Sequence, residues 1–181
     1  MKTGAMIRRF TAKDGREVVL RTPRWEDLDD FTEFINSLVG EGADISMNRK
    51  VTRAEEAEWL GKRLAELERG EVFCVVAEVD GKAVANSELR RKSGYSSHVG
   101  EIGIAVRNGY REIGIGTEML NALVAQAKDI GLKVVTLCVF SGNERAIHVY
   151  EKVGFRETGR VPKMIYKNGE YKDHIIMTTE I

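Results

Sequence analysis

The stretch VRNGYREIGIGTEMLNALVAQAKDIG, Val106 to Gly131, decides how this chain is read. Two glycines, Gly114 and Gly116, stand just before a run whose apolar residues recur at helical spacing, and Gly131 closes that run as a C-terminal cap. A helix is predicted to about Ile130. The N–H groups of a helix's first turn lack internal partners, and the helix dipole makes that end positive, so an anion docks well there. Glycine lets backbone approach such an anion without a side chain in the way. The pair is also compatible with nothing more than a tight strand-to-helix turn. A dinucleotide fingerprint fails, because Met119 stands where glycine or alanine is needed. A nucleotide P-loop fails as well, because Thr117-Glu118 replaces the lysine and its following hydroxyl.

Outward from this stretch, the pattern alternates strands and helices. MIRRFTAKDGREVVLR reads as two strands around the Asp14-Gly15 turn. TPRWEDLDDFTEFINSLVG reads as a helix, with Thr22 as cap, Pro23 in the first position and Leu28, Phe31, Ile35 and Leu38 on the apolar face. A second helix opens with a capping box from Thr52 to Glu55 and stops at Gly70. Strands flank Asp80-Gly81, and HVGEIGIAV forms a third. After the glycine helix, KVVTLCVF reads as a strand buried on both faces. Asn143 caps a short helix that Gly154 ends, and two strands, roughly Phe155–Val161 and Tyr171–Thr179, close the chain around KNGE. The expected fold class is therefore α/β, a mixed sheet with helices on both faces. The strand–helix–strand crossover from Gly100 to Phe140 makes its two strands parallel.

Composition narrows the function classes. The 181 residues fit one domain, 1–181, with a substantial core. Lys+Arg 28 against Asp+Glu 28 gives no net charge, which argues against a nucleic-acid partner held by phosphate neutralisation. No apolar run approaches the roughly 20 residues of a membrane span, and the N-terminus lacks the apolar core of a secretory signal. Cys74 and Cys138 lie in apolar strands without metal-type spacing and read as buried free thiols. The expectation is a cytoplasmic protein with no metal and no membrane or nucleic-acid partner.

The surroundings of the glycines discriminate further. Arg111-x-x-Gly114-x-Gly116 follows a strand and precedes a helix. Downstream, SGNERAIHVYEKVGF supplies Asn143, Ala146 and then Tyr150-x-x-x-Gly154-Phe155. In order and spacing these resemble the two signatures of the GNAT superfamily of N-acetyltransferases. The likeness runs from about Glu17 to the end and is most specific from Glu101 to Phe155.

The resemblance implies one N-acetyltransferase domain. Its sheet is mostly antiparallel, with about seven strands, and its central parallel pair splays apart to admit the pantetheine arm of acetyl-CoA. The pyrophosphate would be held by Arg111, Glu112, Ile113, Gly114, Ile115, Gly116 and Thr117. Ile104, Ala105 and Val106 would face pantetheine and the acetyl carbonyl, with Asn143, Ala146 and Tyr150 also at the cofactor. Asn143 is equally a plain helix cap, and Tyr150 equally a core residue on the face Ala146, Ile147, Tyr150, Val153.

The implied chemistry is direct transfer of acetyl to a primary amine in a ternary complex. An alkylammonium has a pKa of about 10.4 and must lose a proton before it attacks. The resemblance gives Tyr150 the role of acid toward the departing thiolate and Glu101 that of base, often through water. His98, a residue type able to exchange a proton near neutral pH, lies near the start of the same strand, and Cys138 stands where another branch of the family carries a glutamate base. The acceptor groove would lie between the first two helices, their loop and the last hairpin, where Glu41 and Asp44 are either attractors of a cationic amine or ordinary loop residues. The opening DGREVVLRTPRWEDL is similar to the start of some protein-lysine acetyltransferases, which favours a protein lysine or N-terminus. Small-molecule amines, a non-catalytic acyl-CoA sensor and a homodimer all stay open.

Overall fold

The computed structural model of the chain describes residues 1–181. In chain order the elements are β1 (Met6–Thr11), β2 (Glu17–Arg21), α1 (Leu28–Gly40), α2 (Arg53–Glu68), β3 (Val72–Val79), β4 (Lys82–Arg91), β5 (Val99–Val106), α3 (Ile115–Asp129), β6 (Val134–Phe140), α4 (Glu144–Lys152), β7 (Arg156–Lys167) and β8 (Glu170–Glu180). The strands form one eight-stranded sheet in the order β1-β2-β3-β4-β5-β6-β8-β7, one strand more than the resemblance implied. Only β5 and β6 run parallel, as the crossover between them requires. The Asp80-Gly81 and Asn168-Gly169 turns carry positive φ at both residues (51° and 77°, 53° and 83°), the geometry that matches the twist of a tight hairpin.

Two helical layers sandwich the sheet. On one face α3 buries Ile115, Met119, Leu120 and Leu123 against Val75, Ala85, Leu89, Val135 and Leu137. On the other, α1 and α2 bury Leu28, Phe31, Phe34, Leu38 and Leu60 against Val76 and Ala83. That second layer lies over β3 and β4 and leaves β6 bare. The expectation that β6 is buried on both faces is corrected accordingly. Val135, Leu137 and Val139 are buried, whereas Cys138 points from the uncovered face and is exposed. Cys74 is buried as expected, and desolvation pushes its thiol up to about 12. No helix is long and apolar enough to cross a membrane.

The start of α1 also departs from expectation. Thr22 does not cap it, and Pro23 lies outside it. The Thr22 hydroxyl instead accepts from Ala5 N at 2.8 Å and donates to Lys2 O at 2.8 Å, tying down the N-terminal segment. A 3₁₀ turn, Trp25–Asp27, intervenes. Its Asp27 carboxylate accepts from Arg24 N at 2.9 Å and from the Arg21 guanidinium at 2.6 and 2.7 Å. Arg21 is further held by Glu78 at 2.7 Å. This buried charge cluster fixes where the helix begins, a tertiary decision that local capping patterns do not contain. The Thr52–Glu55 capping box of α2 forms as read, at 3.2 Å and 2.8 Å.

Replacing Asp27 with Ala removes the bidentate partner of the buried Arg21 guanidinium and leaves it Glu78 alone as counter-ion. The expected loss is about 3–5 kcal/mol of unfolding free energy, measured by urea denaturation. A loss below ~1 kcal/mol would show that the cluster does not organise this corner.

Candidate active site

The β5–β6 ladder pairs Val99 with Val134, Gly100 with Val135 and Glu101 with Thr136, and then stops. Both strands continue, so a gap opens between them from residue 102 onward. β6 stays paired to β8 throughout, and β5 to β4. Arg107 N donates to Val84 O at 2.9 Å, which fixes the alternation of β5. Ala105 turns its backbone groups to β4, and Ile104 and Val106 turn theirs into the gap.

The gap leads to the start of α3. Gly114 is the N-cap, with φ 99°, a conformation that only glycine adopts cheaply. The helix's first internal bond runs from Glu118 N to Gly114 O at 3.1 Å, so the amides of Ile115, Gly116 and Thr117 lack helical partners. Gly116 has an ordinary backbone. A Cβ there would lie 3.9 Å from Val106 Cγ2 and 4.0 Å from Val149 Cγ1, ordinary contacts. Gly114 therefore serves the turn, and Gly116 keeps the helix mouth clear. The Ile115 side chain is fully buried, so that residue offers backbone alone.

Charges ring this mouth. Arg111 Nε donates to Val106 O at 2.8 Å, and its Nη2 pairs with Glu41 across the cleft at the end of α1. Glu112 faces Arg145 at 3.6 Å. The loop is tethered from the β1–β2 hairpin by Lys13 N donating to Ile113 O at 3.0 Å, and Lys13 itself lines the cleft. Sequence reasoning missed Lys13, because a hairpin residue carries no local sign of the loop it meets. It missed Arg145 too, although Arg145 sits within the quoted downstream signature.

On the far side of the gap, α4 begins with Asn143 Oδ1 accepting from Ala146 N at 3.3 Å. Tyr150 follows on the cleft-lining face. The residue is 8% exposed and packs edge-on against Phe155 with ring centroids 6.3 Å apart, so it is both a core and a cleft residue. Burial pushes its phenol up to about 12, which keeps it protonated in neutral solution. Glu101 lies where the ladder ends, with a half-exposed side chain 3.0 Å from Lys92 Nζ. Cys138 shares this part of the cleft, and desolvation with the nearby Glu101 charge raises its thiol pKa. A raised pKa disfavours the thiolate a nucleophile needs.

One cleft of about 2040 Å³ joins these parts. Glu101, Ile104, Ala105, Val106, Arg111, Glu112, Ile113, Gly114, Gly116, Thr117, Asn143, Ala146 and Tyr150 all line it. His98 does not; it is exposed ahead of β5, and its carbonyl accepts from Lys133 N at 2.8 Å. The cleft continues between α1 and α2, where Phe31, Phe34 and Trp59 form apolar walls. The last hairpin reaches this region, with Lys167 Nζ at 2.6 Å from Gly42 O and 2.5 Å from Asp44 Oδ1. Glu41 and Asp44 are thus answered by Arg111 and Lys167, which makes them braces of the groove rather than free attractors of a cation.

Residues 38–155 match the Acetyltransferase (GNAT) family. The N-alpha-acetyltransferase of Sulfurisphaera tokodaii is 30% identical over 171 residues, covering 88% of this chain and 92% of its own. An L-methionine sulfoximine/L-methionine sulfone acetyltransferase of Pseudomonas aeruginosa is 27% identical over 154 residues, 83% of this chain and 87% of its own. Among solved structures, a Sinorhizobium meliloti phosphinothricin acetyltransferase in complex with acetyl-CoA superposes with TM-score 0.79 at 20% identity, covering 91% of this chain and 88% of that one. The family match spans the ladder's end, the mouth of α3 and the start of α4 alike, and the chain belongs to the GNAT family of acetyltransferases.

Proposed function

We propose that this N-acetyltransferase moves an acetyl group directly from acetyl-CoA to a free α-amine, carried by an amino acid or by the N-terminus of a polypeptide. The observation that carries the reading is the end of the β5–β6 ladder at Glu101–Thr136, which joins an anion-binding helix start to a carboxylate and a phenol in one cleft. The relatives favour the acceptor class. Their names specify N-alpha acetylation, an L-amino acid and an L-methionine derivative. The likeness of the opening segment to protein-lysine acetyltransferases keeps lysine side chains as a second class. Cys74 and Cys138 are free thiols, which suits the reducing cytoplasm.

The residues present fit acetyl-CoA. Unpartnered amides at Ile115, Gly116 and Thr117, an unobstructed Gly116, and Arg111 and Lys13 nearby suit a diphosphate. Arg111 would exchange its contact with Glu41 for that anion. Backbone groups of Ile104 and Val106 would take the pantetheine arm, with the Val106 carbonyl already shared with Arg111. Bound acetyl-CoA supplies an activated thioester and a thiolate leaving group. In this reading Glu101 takes the proton from the acceptor ammonium, directly or through water. A backbone N–H of Ile104 to Val106 in the gap stabilises the oxyanion. The neutral Tyr150 phenol gives its proton to the departing sulfur.

Gly116→Val should fold normally, since its Cβ has room, yet weaken acetyl-CoA binding at least tenfold by filling the helix mouth. Unchanged affinity by calorimetry would remove the diphosphate from this site. Tyr150→Phe keeps the ring and should lower turnover by about 10²–10⁴-fold with little change in acetyl-CoA affinity. Free CoA release in a thiol-detecting assay reads this, and near-normal turnover would leave the sulfur to water. A protein that binds acetyl-CoA but releases no CoA with any amine or peptide would instead be a sensor.

The same substitution has an alkaline signature. The phenol's pKa is higher folded, about 12, than unfolded, about 10, so its contribution to stability is whole below the unfolded value and is lost as pH rises toward the folded one. The unfolding free energy between pH 10 and 12 should therefore fall less steeply for Tyr150→Phe than for the parent. Identical slopes would mean that Tyr150 is solvated in solution.

A further inference from the structure

On the sheet face beneath α2, Asn86, Glu88 and Arg90 of β4 stand opposite Ala105, Gly103 and Glu101 of β5. Contacts fix the side. Arg90 bonds Glu66 of α2 at 2.7 Å, Arg63 of α2 lies 3.1 Å from Glu88, and Ala105 packs against the same apolar cluster as Ala57 and Trp59. Glu88 and Glu101 both line the cleft. They differ in where they stand along β5. Glu101 marks the last rung of the β5–β6 ladder, three residues before Ile104, about 10 Å of strand at 3.3 Å per residue. Glu88 is level with Gly103, one residue before Ile104, where the pair has already come apart.

Gly103 leaves that level open. Glu88 belongs to β4, and the gap lies along the far edge of β5, so a β5 side chain at this level would stand between them. Gly103 has none. A Cβ there would lie 3.9 Å from Glu88 Cγ, so the Glu88 side chain rests beside bare strand. Glycine inside a strand suits a place that a ligand approaches closely. Glu88 also has acceptor capacity to offer. Its side chain is 28% exposed, and its one ion pair is with Arg63 Nε, a buried atom that completes no hydrogen bond. Arg63 is held in turn by Glu66 at 2.7 Å and lies over the Trp59 ring at 5.3 Å. It therefore steadies the Glu88 charge while leaving the carboxylate lone pairs open. Glu66 is shared by Arg63 and Arg90, Glu101 pairs with Lys92, Glu41 with Arg111 and Asp44 with Lys167. Glu56, on the cleft wall, is only 8% exposed.

We propose that Glu88 is the carboxylate that receives the acceptor's ammonium group, holding its nitrogen over Gly103 beside the acetyl carbonyl. The assignment rests on the acetyl-transfer reading above and divides its labour between two acids. Glu88 docks the nitrogen. Glu101 is its diagonal neighbour in the ladder, about 7–8 Å away between Cα atoms, and draws off the proton through water. One N–H proton leaves the ammonium for that water and Glu101, and the freed lone pair forms the C–N bond. The C–S bond then breaks, and the sulfur takes the Tyr150 proton. The second N–H proton released on forming the amide returns to the Tyr150 phenolate.

The test pairs an ammonium with its neutral counterpart: L-methionine amide against 4-(methylthio)butanamide, which lacks only the amino group. Calorimetry on the CoA-loaded parent should show the amine bound at least tenfold more tightly. Glu88→Gln should abolish that advantage while leaving the affinities for the neutral amide and for acetyl-CoA unchanged. In turnover, Glu88→Gln should raise KM for the amine at least tenfold with little change in kcat, whereas Glu101→Gln should lower kcat. A merely structural Glu88–Arg63 brace predicts instead a lower melting temperature and equal weakening of both amides, which would overturn the assignment. So would a parent that does not prefer the ammonium, an advantage that survives Glu88→Gln, or one that Glu56→Gln abolishes and Glu88→Gln does not. If Glu88→Gln fails to fold, Glu88→Asp replaces it. Drawing the charge back by one methylene should cut the advantage at least threefold, and an unchanged advantage defeats the assignment. If no amine is acetylated, acetyl transfer itself fails, and the calorimetric comparison still decides Glu88.

Discussion

The end of the parallel ladder at Glu101 and Thr136 is the constraint from which the rest of the site follows. A parallel pair left unzipped exposes backbone groups that have to be answered by something. Here both strands are pinned on their outer edges, β5 by β4 and β6 by β8, so the gap cannot close by a slip of register. Its base is wedged by packing as well. A Cβ on Gly100 would lie 2.6 Å from Leu89 Cδ1 and 2.7 Å from Leu132 Cδ1, so the strand at the root of the gap sits tightly against the α3 layer. Only beyond that point does the pair come apart, and the cleft that follows reaches the start of α3.

Electrostatics then divide the cleft into regions of different character. Around the helix mouth Arg111, Lys13 and Arg145 surround unpartnered amides, a setting for an anion. Between α1 and α2 nearly every acid is matched internally, which keeps the groove open and close to neutral without attracting solutes indiscriminately. Where the regions meet, Glu101 and Tyr150 lie in different environments. Glu101 is partly solvated beside an ammonium, whereas Tyr150 is held neutral by burial. Two groups of different environment around one opening suit the proposed acid and base.

Much of this was legible in the chain before its structure. The glycine helix, the parallel crossover, the Asn168-Gly169 turn and the Thr52 capping box are local or periodic features, and each stands where its residues predict. What escaped reading was tertiary. Thr22 has the chemistry of a helix cap, but the Arg21–Asp27 cluster outbids it for control of α1. Cys138 looks buried because its strand is apolar throughout, and only the lateral extent of the α1–α2 layer exposes it. Glu41 and Asp44 carry the right charge to attract an amine, yet their partners lie 70 and 123 residues away.

Amide hydrogen exchange on the protein with and without acetyl-CoA tests the central claim most directly. If the gap receives pantetheine and the start of α3 receives the diphosphate, protection should rise at Ile104 and Val106 and at Ile115, Gly116 and Thr117, while Ala105, already bonded to β4, stays unchanged. Saturating acetyl-CoA with no new protection at these amides, or protection confined to the β7–β8 hairpin, would contradict it.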